Sequence, residues 1–195
     1  MSEAAIDKGL VLRAQEGDQR AFEALVMKYQ TRVKKLVARF VRPADVDDVT
    51  QEAFIKAYRA LDKFRGDSAF YTWLYRIAVN TAKNHLVSQS RRPPNSDIDI
   101  EDAEFSGSGE RFRDNETPEN SIATEELAGV VQKAIDLLPD ELKTAILLRE
   151  MEGLSYEEIS SVMSCPIGTV RSRIFRAREA IENQIKHYMQ GESGA

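Results

Sequence analysis

GLSYEEISSVMSCPIGTVRSRIFRAREAI runs from Gly153 to Ile181 and spells two helices joined by a tight turn. Gly153 is the residue type that ends a preceding helix, because it tolerates the left-handed backbone found there. Ser155 and Glu158 stand in the S-x-x-E spacing of a capping box, with Leu154 and Ile159 at the positions of a hydrophobic staple. A short helix through Met163 is predicted, then a turn at Ser164 and Cys165. Pro166 suits the first position of the next helix, where its missing N–H costs least. On that second helix Val170, Ile174, Ala177, Ile181 and Ile185 fall on one side and must pack inward. The opposite side then carries Arg171, Ser172, Phe175 and Arg176, with Arg173 and Arg178 on the edges. A short helix, a turn and an arginine-bearing helix is the helix-turn-helix pattern, in which the second helix enters the major groove of DNA. The guanidinium fork matches guanine O6 and N7. The alternative is a solvated basic helix, in which Arg178 pairs with Glu182. Cys165 reads as a small buried hydrophobe.

A second stretch asks for a different use of the same chemistry. SAFYTWLYRIAVNTAKNHL, Ser68 to Leu86, crowds Phe70, Tyr71, Trp73 and Tyr75 together with Arg76, Asn80, Lys83 and Asn84, and holds no acid. One reading is a core helix with solvated cations. The other is a strip for unstacked nucleic-acid bases, where aromatic faces stack and carboxylates would repel phosphate.

The whole chain has 195 residues and a formal net charge of -5, which by itself argues against a nucleic-acid partner. The charge is unevenly placed. Residues 95–119 hold nine acids and two arginines, a net -7, which leaves +2 for the remainder. The local distribution sets the field at a binding face, so the net acidity does not exclude DNA. With 42% hydrophobic and 30% charged residues the composition is that of a globular protein. No apolar run approaches the roughly 20 residues a membrane span needs, and the N-terminus MSEAAIDKGL lacks a secretory pattern. A single cysteine excludes an internal disulfide and fits a reducing cytoplasm.

The expected fold class is all-α. No stretch alternates with period two, and glycine and proline are few. Gly17 and Asp18 separate a first short helix from a long one whose apolar face runs from Phe22 to Phe40, with Pro43 as its stop. A further helix starts near Ala44 and runs to Leu61; the aromatic helix follows the Gly66–Ser68 loop and stops at RRPP, Arg91–Pro94. The acidic segment after it, with Gly107, Gly109 and Pro118, reads as a flexible linker. Helical periodicity resumes near Thr124. Two small helical domains, 1–94 and 124–195, joined by a linker at 95–123, are therefore expected.

Two stretches together carry a family likeness. DVTQEAFIKAYRALDKFRGDSAFYTWLYRIAVNTAKNHL, Asp48–Leu86, and LSYEEISSVMSCPIGTVRSRIFRAREAI, Leu154–Ile181, resemble the extracytoplasmic-function sigma factors of bacterial RNA polymerase, sigma-E type. The resemblance covers about Leu10 to Gln184 and implies a sigma-2 domain, a linker and a sigma-4 domain. It implies that sigma-2 binds the coiled coil of the largest core-polymerase subunit through Asp45, Asp48, Gln51, Glu52, Phe54, Ile55, Tyr58 and Leu61. Acids near that helix start also suit the helix dipole with no partner at all. It further implies capture of a melted promoter base between the DKFRGDS loop and the aromatic helix. Phe64 would be the pocket wall and Asn80 the base-edge hydrogen-bonder. Arg65, Tyr75 and Arg76 would flank the pocket, with Lys56, Lys83 and Asn84 toward the backbone. Phe70 and Trp73 lie where core residues are expected, and Arg91 and Arg92 are candidates for phosphate. Sigma-4 would read the upstream element through Arg171, Ser172, Phe175 and Arg176, with Tyr156 and Thr169 reaching phosphates, and would meet the polymerase flap.

A membrane-anchored anti-sigma factor, and through it tethering of a cytoplasmic protein to the inner membrane, follow from the same resemblance. The expected role is promoter-specific initiation of envelope-stress genes. An acidic linker would stay off DNA and feed toward a basic polymerase channel. A sigma-like decoy for an anti-sigma factor needs no basic surfaces, and a plain helix-turn-helix repressor leaves the aromatic strip unexplained. An enzyme finds no support. His85 and His187 make no metal-ligand pattern with Cys165, and adjacent acids such as Asp47 and Asp48 face different ways on a helix. No cofactor, small-molecule substrate or direct membrane insertion is expected.

Overall fold

The computed structural model describes residues 3–90 and 118–192, and every element among them is helical. Helix α1 spans Glu3–Gln15, α2 Gln19–Val37, α3 Val46–Ala60 and α4 Phe70–Ser90. Then come α5 Pro118–Asp136, α6 Asp140–Glu150, α7 Tyr156–Met163 and α8 Ile167–Glu192. Short 3-10 turns at Pro43–Asp45 and Leu61–Lys63 flank α3. Arg91, Arg92 and nearly all of the expected linker lie outside the described residues. None of the described helices is long and apolar enough to cross a membrane.

The chain forms two compact units. The first holds α1–α4 together with Ser155–Pro166, and the second holds α5, α6 and α8. In the first unit α2, α3 and α4 pack on one another around Leu25, Val33, Leu36, Val49, Ala53, Leu74 and Ala78, all nearly or fully buried. Asp18 caps α2 by accepting from the N–H groups of Arg20 and Ala21, as its place after Gly17 predicts. α1 lies across α2 and is tied to it by a buried carboxylate. Asp7, 5% exposed, accepts from Lys28 Nζ at 2.6 Å and from the Tyr29 hydroxyl at 2.5 Å. Such pairing is what makes a buried acid tolerable.

The sequence-based boundaries shift in three places. α2 ends at Val37, not at Pro43. Its last turn tightens through bonds such as Phe40 N–H to Val37 carbonyl, and the bend buries Val41. α5 begins at Pro118, six residues before the expected Thr124. Pro166 precedes α8, which starts at Ile167.

The grammar around α7 is as read. Ser155 Oγ accepts from the Glu158 N–H at 3.2 Å, and the Ser155 N–H donates to Glu158 Oε2 at 2.8 Å. Ser164 takes the left-handed conformation at the C-cap, φ 52°. Eight residues are too few to bury an apolar face alone. α7 packs along α4 in the first unit, where the Tyr71 hydroxyl donates to Glu158. In the second unit α8 packs on α5 and α6, burying Val170, Ile174 and Ala177 with Ala145 and Leu148. Ile181 and Ile185, expected inward, are half-buried. Gly153, at φ +67°, ends the run after α6 as predicted.

Candidate nucleic-acid interface

α4 begins where the chain leaves its loop, and its register decides what each aromatic does. Phe70, Leu74, Tyr75, Ala78, Val79 and Ala82 form the inward face. The outward row is Trp73, Arg76, Asn80 and Asn84, at spacings of three, four and four, with Lys83 at its edge. Arg76, Asn80 and Asn84 are exposed; Trp73 and Lys83 are half-buried. Tyr75, expected beside the captured base, is a core residue at 2% exposure. The physical reason is phase: it lies next to Leu74 and one turn before Val79, both on the buried side.

Phe64 leaves the 3-10 turn with extended backbone, φ -75° and ψ 115°. Its ring meets Trp73 at 4.9 Å between centroids and Phe70 edge-on at 6.0 Å. Phe70 in turn lies 5.8 Å from Tyr29. Phe64 and Trp73, both half-buried, therefore form a wall whose deep side is filled and whose outer side continues into Arg76 and Asn80. Half-buried ring faces of this kind are the surfaces on which planar rings stack. Gly66, at φ +76°, lets the loop turn back toward α4. Of the cationic candidates, Arg65 pairs with Asp67 at 2.8 Å in the exposed loop, and Lys56 pairs with Glu52 at 2.7 Å on α3. Those pairs are exposed, so exchanging the acid for phosphate costs little.

α3 presents a second surface. Asp48, Gln51, Glu52, Ile55 and Tyr58 share one exposed face, and Ile55 and Tyr58 are 43% and 47% exposed. Two candidates for that face are corrected. Leu61, at 1% exposure, is core; Phe54, at 8%, shows only an edge to a cleft between α2 and α3. The cleft has a volume of about 400 Å³ and is lined by Val26, Gln30, Thr50 and Phe54 among others, with the Lys34–Asp47 ion pair at 2.5 Å on its rim. Asp45 is turned inward instead. Arg42 and Gln89 donate to its Oδ2, each at 3.0 Å, and His85 stands 3.6 Å away. Burial pushes its carboxyl up, but these donors outweigh it and hold the group below the ordinary carboxylate range.

In the second unit the outward face of α8 carries Arg171, Ser172, Phe175 and Arg176, all exposed, Phe175 by 67%. Thr169 is half-buried and accepts from Ser172 Oγ through its carbonyl at 2.9 Å. The edge arginines are committed within the unit. Arg178 pairs with Glu150 at 2.6 Å, not with Glu182, and Arg173 pairs with Glu141. Tyr156, half-buried, opens α7 in the first unit. No group of three or more potential metal ligands occurs among the described residues.

Gln15 belongs to no motif in the chain. Its side-chain amide donates to the carbonyls of Leu61 and Phe64, at 2.9 and 2.8 Å. These partners are 46 and 49 residues away, so no local spacing marks the contact.

Comparison with known proteins fits this layout. Residues 25–92 match the family Sigma-70 region 2, and residues 128–181 match Sigma-70, region 4. The chain is 61% identical over 186 residues to the ECF RNA polymerase sigma-E factor of Escherichia coli (strain K12), covering 95% of this chain and 97% of that one. It is 59% identical over 189 residues to the protein of the same description from Haemophilus influenzae, covering 97% and 100%. Among solved structures, CnrH in complex with the cytosolic domain of CnrY is similar with a TM-score of 0.67 and 27% identity, over 93% of this chain and 98% of that one. An engineered region 2 of sigmaE in complex with GTAAAA is 61% identical, over 49% of this chain and all of that one, with a TM-score of 0.45. The chain belongs to the extracytoplasmic-function sigma factors of RNA polymerase, of the sigma-E type, and is thus a transcription initiation factor and not an enzyme.

Proposed function

We propose that this sigma factor docks on core polymerase through the exposed face of α3, captures a melted promoter base at the Phe64–Trp73 wall, and reads an upstream element with α8. The observation that carries the reading is the outward row of α4. Arg76, Asn80 and Asn84 follow one another beside half-buried aromatic rings, with no acid on the helix. Flipping a base out of the stack costs a few kcal/mol. Stacking returns about 1–3 kcal/mol per base, and an amide such as Asn80 adds selectivity at the base edge. Ile55 and Tyr58 give the α3 face an apolar centre, and Asp48, Gln51 and Glu52 give it a polar, acidic rim suited to a basic partner helix. In this reading residues 1–94 do the work of sigma-2, 95–123 link, and 124–195 do the work of sigma-4, including contact with the flap.

The same reading makes the protein cytoplasmic and places it under a membrane-anchored anti-sigma factor that covers its polymerase-binding surfaces. A relative solved with the cytosolic domain of a second protein supports this. Likeness to sigma-E factors supports envelope-stress genes as the regulon. Permanganate footprinting of promoter complexes tests the base-capture step. Asn80→Ala holoenzyme should still bind promoter fragments but open them about tenfold less, the equivalent of one lost base-edge contact. Unchanged opening would show that the row does not touch the strand.

A further inference from the structure

α1 ends at Gln15, and its last side chain reaches the two backbone carbonyls that frame the base-capture loop. Leu61 opens the 3-10 turn and Phe64 leaves it. A chain that leaves a helix strands its final carbonyls, and something must satisfy them. The Leu61 carbonyl accepts from the Phe64 N–H at 2.9 Å and also from Gln15 Nε2 at 2.9 Å; the Phe64 carbonyl accepts from the same amide at 2.8 Å. Both hydrogens of one NH2 group are thereby used, one on the carbonyl of the wall residue and one on the carbonyl that accepts from its N–H. The other end of α1 is fixed as well. Asp7 accepts from the Tyr29 hydroxyl, and the Tyr29 ring packs on Phe70, which meets Phe64 edge-on. α1 therefore holds the wall from two sides, although it lies outside the stretch matched by Sigma-70 region 2.

We infer that Gln15 is a positioning residue for promoter capture: through the Leu61 and Phe64 carbonyls it presets the Phe64 ring at the angle a flipped base requires. The inference rests on the proposed capture site. It implies that the free energy of ordering the loop is spent in folding, not in DNA binding, which is the usual gain of a preset site. Gln15→Glu keeps the shape but cannot donate, and Gln15→Leu removes the polar group altogether.

The test uses holoenzyme assembled from bacterial core polymerase and the full chain. The probe is labelled single-stranded GTAAAA, with a scrambled strand as control. The wild type should prefer GTAAAA, and both variants should lose about tenfold in affinity for it, as expected for two hydrogen bonds. Their affinity for the scrambled strand and for core polymerase should stay within error, while the melting temperature falls by a few degrees because two part-buried carbonyls lose their donor. Equal affinity of wild type and variants for GTAAAA overturns the inference. So does a loss matched on the scrambled strand or in core binding, because Gln15 would then serve only to hold the fold. Failure of the wild type itself to prefer GTAAAA would instead sink the capture site.

Discussion

Asn80 and Tyr75 sit on one helix, five residues apart, under opposite constraints. Tyr75 fills the core at 2% exposure, so Tyr75→Ala should cost about 3–5 kcal/mol of stability. Chemical denaturation should show that loss directly. Asn80→Ala, at an exposed position, should change stability by less than about 0.5 kcal/mol while lowering promoter opening. Arg76, Asn80 and Asn84 stand out in the sequence as polar residues of an acid-free stretch, and the resemblance gives them their roles; their alignment in one outward row comes from the structure. Phe70, expected inward, is buried, but Trp73, expected likewise, is half-buried, and Tyr75, expected outward, is core, because four aromatics spread around the helix leave its phase open. Asp45, placed on the docking face by the resemblance, is engaged within the unit by Arg42, Gln89 and His85, none of which its local spacing points to except Arg42. On α8, Arg176→Ala should relax selectivity at one upstream position by about 1–3 kcal/mol. Arg178→Ala should do much less, since Arg178 lies at the edge of the outward face and not on it. Competition binding with a set of single-base variants of the upstream element separates the two.

At the level of elements, α7 depends on its cap. Ser155→Ala should cost about 1 kcal/mol, measurable as a shift in the denaturation midpoint. Glu158 closes the same box and also accepts from Tyr71. Burial pushes its carboxyl up, yet the Tyr71 hydroxyl and the N–H and hydroxyl of Ser155 prevail and hold it below its ordinary value of 4.5. A carboxylate lowered in the folded state stabilises above its unfolded value and loses that contribution as pH falls through the folded one. The stability of the wild type should therefore drop below about pH 4.5, and Glu158→Gln should lose that part of the pH dependence. Urea midpoints taken between pH 3 and 6 check the sign. Cap grammar of this kind is local, so Ser155, Glu158, Gly17 and Asp18 could all be read in order along the chain. The stop of α2 could not, because burial of Val41 ends the helix before Pro43 has any say. Arg173 with Glu141, Arg178 with Glu150 and Gln15 with Leu61 and Phe64 join residues too distant for any spacing rule.

The molecule as a whole reconciles a net charge of -5 with a DNA-binding role by segregation. Acids crowd residues 95–119, while α4 carries none and α8 places Arg171 and Arg176 on one exposed side. Affinity of the holoenzyme for promoter DNA should fall steeply with salt, since each phosphate contact releases counterions. The all-α class and the two basic surfaces were readable from pattern, because helical periodicity and the separation of charge are properties of the sequence itself. The grouping of Ser155–Pro166 with the first unit was not. It arises from tertiary burial that a short amphipathic helix can find on more than one neighbour. Whether this chain confers promoter-specific initiation is decided by transcription in vitro with purified core polymerase and a library of promoter fragments, with start sites mapped at each nucleotide. Transcripts should arise from defined sites only when the chain is added, with both promoter elements emerging from the active fragments, and should be lost with Phe64→Ala. Tight binding to core polymerase without any initiation would contradict that role.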